Sequence, residues 1–159
     1  MKKIFSTLAL SAIAVTAVSC SDDDKPAPTE QKQLLGKWNY IEELALDVNG
    51  NMVSTDSGEN GVCPLDIYDF LSNGSLQHTD YDYSTNSNAC SNQILSGTWS
   101  INANTFTLKN EFTGEEGEAF EIKKLNNDSF EIQQTLSRED AGNYELNVVS
   151  LKYIFKKVK

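Results

Sequence analysis

Phe70-Leu71-Ser72-Asn73-Gly74-Ser75-Leu76 sits near the middle of the chain and reads as a strand end, a tight turn and a strand start. Asn73-Gly74 predicts a two-residue type I′ turn, because both central positions need a positive φ that Asn and Gly tolerate. The turn joins a strand over residues 66–71 to one over 75–83.

The same pattern repeats outward in both directions. Toward the N-terminus, Trp38, Tyr40, Leu44, Leu46 and Val48 share one parity, with Glu42 as the exception, which is the two-residue period of a long half-buried strand. Asn49-Gly50-Asn51 turns it into a short strand around Met52 and Val53, and a polar loop follows over residues 56–61. Toward the C-terminus, the Ser-, Asn- and Thr-rich residues 84–92 form a loop, and strands over 94–101 and 105–110 are joined by Asn102-Ala103-Asn104. Residues 111–118 are a Gly- and Glu-rich loop. Phe120 and Ile122 then alternate with charged neighbours, Asn126-Asn127-Asp128 turns the chain, and Phe130, Ile132, Gln134 and Leu136 repeat the alternation. The last strand is expected over about 144–158. Its apolar parity shifts from Leu146 and Val148 to Leu151, Tyr153 and Phe155, which predicts a β-bulge or sharp bend near Ser150.

Eight or nine strands in hairpin succession, with no crossover long enough for a helix, imply an all-β, up-and-down antiparallel barrel or a two-sheet sandwich. Closure removes exposed strand edges. An eight-stranded barrel has an interior that side chains fill or that holds one small ligand.

The N-terminus carries an address. Lys2 and Lys3 precede residues 4–18, an almost unbroken apolar run of secretory length that is too short to span a bilayer. Ala17-Val18-Ser19-Cys20 at its end resembles the lipobox of bacterial lipoproteins, which implies a signal peptide over 1–19 and lipid attachment at Cys20. Each buried methylene adds about 0.8 kcal/mol of membrane affinity, so several acyl chains anchor a domain where one does not. Ser21 after the cysteine resembles lipoproteins sent to the outer membrane. Asp22-Asp23-Asp24 resembles the export tag of surface-displayed bacteroidete lipoproteins, with a solvated charge run and a periplasm-facing protein as the alternative. Pro26, Pro28 and polar neighbours make residues 20–33 a flexible tether, and a single domain is expected over 34–159.

The full chain of 159 residues has a formal charge of −10, and without the two signal lysines 11 basic side chains face 23 acidic ones. Such a surface repels phosphate backbones, which argues against nucleic acid as a partner. With Cys20 committed to lipid, Cys63 and Cys90 form an even pair in an oxidising compartment and are expected to be disulfide-bonded, with two buried free thiols as the alternative. Closing that loop removes roughly 3 to 4 kcal/mol of denatured-state entropy in the chain-entropy treatment.

Chemistry-bearing motifs are sparse. The single His78 lies on a strand near acids, is expected to be exposed, and has no serine elbow to serve. Asp66, Asp69, Asp80 and Asp82 flank one hairpin, as chance proximity among 23 acids would produce, and they follow no EF-hand order. Two cysteines and one histidine are too few for a zinc centre. The reading is of a chain that is not an enzyme, with no catalytic residue, no metal and no cofactor.

Gly36-Lys37-Trp38 resembles the G-x-W signature of the lipocalins. Phe70 to Gly74, Gly97 to Ile101, Asn104 to Leu108 and Leu151 to Phe155 are similar to segments of the lipocalin-like domains of bacteroidete outer-membrane lipoproteins. The resemblance covers most of residues 34–158 and implies a lipocalin-like barrel. The lipocalin arginine that covers the tryptophan has no counterpart, since Arg138 is the only arginine and lies in a loop, which leaves Lys152 or Lys156 for the place. Thr79-Asp80-Tyr81 comes too early for the family's second signature.

The inward aromatics Trp38, Tyr40, Phe70, Trp99, Phe106, Phe120, Phe130, Tyr153 and Phe155 either fill the barrel as core or wall a pocket for an apolar or amphipathic molecule. Tyr68, Tyr81 and Tyr83 are candidates for an exposed aromatic patch. The first functional expectation, implied by the resemblance, is a monomeric lipid-anchored protein binding a small hydrophobic or amphipathic ligand at the outer membrane. Its alternatives are an accessory module acting through loops 56–65, 84–92 and 111–118, and an enzyme on surface glycans.

Overall fold

The computed structural model describes residues 29–58, 61–110, 117–144 and 147–159. The expectations for the signal peptide, Cys20, Asp22-Asp23-Asp24 and the tether up to residue 28 lie outside these residues. From Thr29 the stretch expected to be tether is a short helix, α1 (Thr29–Leu34), whose Leu34 is fully buried.

Nine strands follow: β1 (Gly36–Leu46), β2 (Met52–Ser57), β3 (Ile67–Phe70), β4 (Ser75–Ser84), β5 (Ala89–Asn102), β6 (Thr105–Lys109), β7 (Glu118–Leu125), β8 (Ser129–Thr135) and β9 (Ser150–Lys157). Each of β3 to β8 pairs antiparallel with the next, and β9 returns to β1. One edge of β1 therefore takes β9. The other takes β3 on Gly36–Asn39 and β2 on Glu42–Leu46. This is a closed antiparallel barrel of eight strands with β2 as one extra strand, and every pairing that closes it lies within residues 36–157.

Several local expectations are revised. The Asn73-Gly74 hairpin uses a three-residue loop: Phe70 pairs with Leu76, Gly74 N–H bonds to Leu71 O at 3.0 Å, and only Gly74 has positive φ. That is a turn closed by a left-handed glycine bulge rather than a type I′ turn. Asn73 contributes through its side chain instead, its Oδ1 accepting the Ser75 N–H at 3.0 Å. The loop expected over 84–92 is shorter, because β4 and β5 stay paired to Ser84↔Ala89. Residues 56–57 belong to β2 and Glu118 to β7, so those loops are shorter too.

The Glu42 exception on the first strand also finds its cause. Tyr40 pairs with Phe155 and Glu42 with Ile154, so Ile41 is an extra residue and the facing of β1 reverses there. Glu43 and Ala45 then face inward beside Tyr153 and Leu151. Val48 is 80% exposed rather than core. Near Ser150 the described residues pair with β8 without a register shift, so of the bulge and the bend expected there it is the bulge that is lacking. A 3-10 turn (Asp140–Asn143) and the positive φ of Asn147 precede β9, which begins at Ser150.

Candidate functional site

The barrel interior divides into a filled half and an open half. In the filled half Trp38, Phe70, Trp99, Phe106 and Phe130 pack with Leu34, Leu76 and Ile101. Phe70, Phe106 and Phe130 meet edge to face, with centroids 5.3 to 6.1 Å apart. Helix α1 caps this end against β5 and β7, and Trp38 Nε1 donates to Leu34 O at 2.6 Å. The ammonium of Lys157 lies 4.3 Å from the Trp38 ring centroid and donates to Leu35 O and, at 3.5 Å, to Gln33 O. The cation over the tryptophan is thus Lys157, not Lys152 or Lys156. Lys152 points outward and pairs with Glu131 at 2.5 Å.

Trp99 joins the closed end to the central hairpin. Its indole N–H is shared between Leu71 O at 3.2 Å and Ser75 O at 3.0 Å, while its backbone N–H bonds to Gly74 O. Gly97, two residues earlier, approaches β6 so closely that an added Cβ would lie 2.5 Å from Lys109 O.

The other half of the interior is an open pocket of about 330 Å³. Tyr40, Tyr68, Tyr153, Phe120 and Phe155 wall it, Leu108 and Ile132 add aliphatic surface, and Asp66, His78, Asn110 and Glu118 add polar groups. Of the eight residues expected to line a ligand site, Tyr40, Phe120 and Tyr153 are on the wall of this pocket. Trp38, Phe70, Trp99, Phe106 and Phe130 belong to the packed half and are not among the residues that line this pocket. Phe155 spans both halves, touching Phe130 on one side and the pocket on the other.

His78 is buried rather than exposed, at 5% accessibility. Register explains this: His78 pairs with inward Tyr68 across β3 and with Leu95 across β5. Its ring stacks on Tyr68 at 4.1 Å, and its Nε2 lies 3.5 Å from Asp66 Oδ2. Asp66 Oδ1 accepts the Tyr81 backbone N–H at 2.8 Å. Asp80, bonded by Gln93 at 2.8 Å, completes a group in which one ligand-type atom each from Asp66, His78 and Asp80 lies within 4.8 Å of the others. Tyr68 therefore belongs to the pocket and not to a patch with the half-buried Tyr81 and Tyr83.

Burial chiefly, then the carboxylates of Asp66 and Asp80 and the neighbouring Tyr40, push the Tyr68 phenol far above its ordinary range. Burial likewise raises Tyr40, with Glu43, Asp56, Asp66 and Glu42 adding to it. Tyr153 is raised by burial, Glu43, Tyr144, Glu118 and Tyr40. These phenols stay protonated, and that of Tyr153 donates to Glu43. Burial and Asp56 raise the Glu43 carboxyl, partly opposed by the bond it accepts from Tyr153.

Cys63 and Cys90 are disulfide-bonded, with Cα atoms 5.6 Å apart. The bridge ties the segment before β3 to the start of β5, where Cys90 faces Tyr83. It lies at the surface and lines none of the pocket.

Residues 34–132 match the family described as the lipocalin-like domain. This chain belongs to that family. A lipocalin-like protein from Bacteroides uniformis is 15% identical, with a TM-score of 0.49 over 79% of this chain and 99% of its own. An uncharacterized protein from Bacteroides eggerthii is 16% identical, with a TM-score of 0.46 over 78% and 98%. Lobster apocrustacyanin A1 is 8% identical, with a TM-score of 0.44 over 80% of this chain and 62% of its own. No curated protein sequence matches.

Proposed function

We propose that this chain is a lipid-anchored binding protein of the outer membrane that holds one small amphipathic molecule in the open half of its barrel. The observation that carries the reading is the division of the interior. One half is packed to the density of a core, while the other leaves about 330 Å³ walled by aromatic side chains with a few convergent polar groups. That is the usual make-up of a small-molecule site, in which apolar walls supply affinity and polar groups fix orientation. The packed half with its capping helix makes the site rigid and single-ended. The lipobox-like Ala17 to Cys20 and the acidic run behind it support the anchor and the cell surface.

Native mass spectrometry tests the ligand reading on the chain from Ser21 onward, which keeps every described residue, after exposure to host extract without detergent. A stoichiometric added mass that is lost on denaturation, and lost in a Phe120→Trp variant that fills the pocket, supports the reading. A bare mass under all conditions moves the function to the surface and loops. Labelling with a radioactive fatty acid tests the anchor: label on the natural chain and none on Cys20→Ser is the expected result.

A further inference from the structure

The pocket has a marked imbalance of charge. Asp66 and Glu118 line it, and Glu43 reaches it through its bond to Tyr153. No lysine or arginine is among its described lining residues. Lys157, the inward-facing cation of β9, is held at the opposite end over Trp38. The walls are the other half of the pattern: Tyr40, Tyr68, Tyr153, Phe120 and Phe155 present aromatic rings, whose faces carry the negative end of the ring quadrupole and attract cations.

Resting on the pocket reading above, we propose that the molecule it takes is an organic cation, a protonated amine or quaternary ammonium on an apolar body, with the charged end among Asp66, Glu118 and the tyrosine rings. Three observations agree on this. Aromatic rings and carboxylates share one concave site, so a cation entering it meets both kinds of partner at once. An anionic head would face the same carboxylates in a partly desolvated space, where like charges repel most strongly. Burial chiefly, and the nearby carboxylates after it, raise the phenols of Tyr40, Tyr68 and Tyr153, so these rings meet a cation in their neutral form. The acidic surface of the whole chain adds a long-range field that draws cations toward the mouth.

An organic cation is favoured over a bare divalent ion by the walls. Asp66, His78 and Asp80 bring ligand-type atoms near one another, but Asp80 does not line the pocket and is bonded by Gln93. A metal would also leave the apolar volume beside Leu108, Phe120 and Ile132 unused.

Isothermal titration of the chain from Ser21 onward with 4-phenylbutylamine, 4-phenylbutanol and 4-phenylbutanoate tests the proposal, because the three share a body and differ in head charge. The amine is expected to bind at least tenfold tighter than the alcohol, a difference of about 1.4 kcal/mol, with the carboxylate weakest. The advantage should shrink as salt is raised, and Glu118→Gln and Asp66→Asn should each weaken the amine several-fold more than they weaken the alcohol. Alcohol or carboxylate binding as tight as the amine overturns the charge assignment and leaves the pocket reading standing. Failure of all three, with no ligand mass in the native spectrum, overturns both. Zinc ions that bind tightly and abolish the amine's advantage reassign the acids to a metal and overturn the proposal.

Discussion

The Lys157 ammonium stands 4.3 Å from the centre of the Trp38 ring and ties the last strand of the barrel to the first. The same ammonium donates to Leu35 O and Gln33 O, so one side chain closes the sheet, covers the deepest indole and holds the segment leading out of α1. Burial lowers its pKa, with Asp69 opposing the shift. Lys157→Met keeps much of the stem but removes the charge and its bonds, and it should cost about 1 to 3 kcal/mol in chemical denaturation. Lys157→Arg should recover part of that, because guanidinium also stacks on indole. Equal stability for Met and the natural Lys would show that the contact contributes packing alone.

The Cys63–Cys90 bridge closes a separation of 27 residues in sequence, outside the barrel core. Removing both sulfurs with Cys63→Ser and Cys90→Ser should lower stability by about 3 to 4 kcal/mol. For a domain of this size that corresponds to a fall of roughly 10 to 20 °C in melting temperature. A melting curve that reducing agent leaves unchanged would contradict this. Since the bridge lines none of the pocket, ligand affinity well below the new melting point should stay as it was.

Much of the barrel is legible in the sequence because hairpin succession and two-residue periodicity are local signals. The strands around Phe70, Trp99, Phe106, Phe120 and Phe130 follow directly from them. Bulges are harder to read. The extra residue at Ile41 reverses the facing of β1 beyond Tyr40, so Glu43 turns inward where Leu44 was expected. A charged residue at a position of apolar parity, here Glu42, is the one trace such a bulge leaves. The site is less legible than the fold, because alternation says which side chains point inward but not how far along the axis the filling stops. That boundary is set by α1, a six-residue helix too short for a periodic signal, which plugs one end and leaves the other open. His78 was missed for a related reason: its inward parity matches Leu76, but a charged neighbourhood in sequence suggested solvent.

The two halves of the interior should respond differently to truncation. Phe130 is fully buried among Trp38, Phe70, Phe106 and Phe155, so Phe130→Ala leaves a cavity that its neighbours cannot close and should cost about 3 to 5 kcal/mol. Tyr40→Phe, at the pocket wall, removes one hydroxyl and should change stability by less than about 1 kcal/mol while altering ligand affinity. Urea denaturation of both variants checks this. Similar losses for the two would show that the pocket is filled in solution.

The backbone offers a fourth test of stability. Ala103 sits at φ 51° in the β5–β6 turn, a conformation that costs an L-residue about 1 to 2 kcal/mol. Ala103→Gly relieves it but adds freedom to the unfolded chain, so a net gain of roughly 0.5 to 1 kcal/mol is expected. Gly97 is the converse case, since an alanine there meets Lys109 O at 2.5 Å. Gly97→Ala should cost about 1 to 3 kcal/mol as β5 and β6 are forced apart. Denaturation midpoints moving in the same direction for the two variants would contradict the turn and register described above.

Two carboxylates should tilt the pH dependence of stability in opposite directions. Burial and Asp56 hold the folded Glu43 carboxyl above its ordinary value despite the bond from Tyr153. Its contribution is fully present below the unfolded pKa, near 4.5, and is lost as pH rises through the raised folded value. Glu43→Gln should therefore gain stability relative to the natural chain at neutral pH, with the gain vanishing below about pH 4.5. At Glu131 burial alone would raise the carboxyl, but bonds and charge from Lys152 at 2.5 Å and Lys124 at 3.4 Å outweigh it and bring the value down. That contribution is present above the unfolded pKa and is lost as pH falls through the depressed folded value. Glu131→Gln should lose stability at neutral pH, and the loss should close in acid. Urea midpoints for both variants across pH 3 to 8 decide the matter, and a Glu43→Gln curve running parallel to the natural one would show that this carboxylate is solvated rather than turned into the barrel.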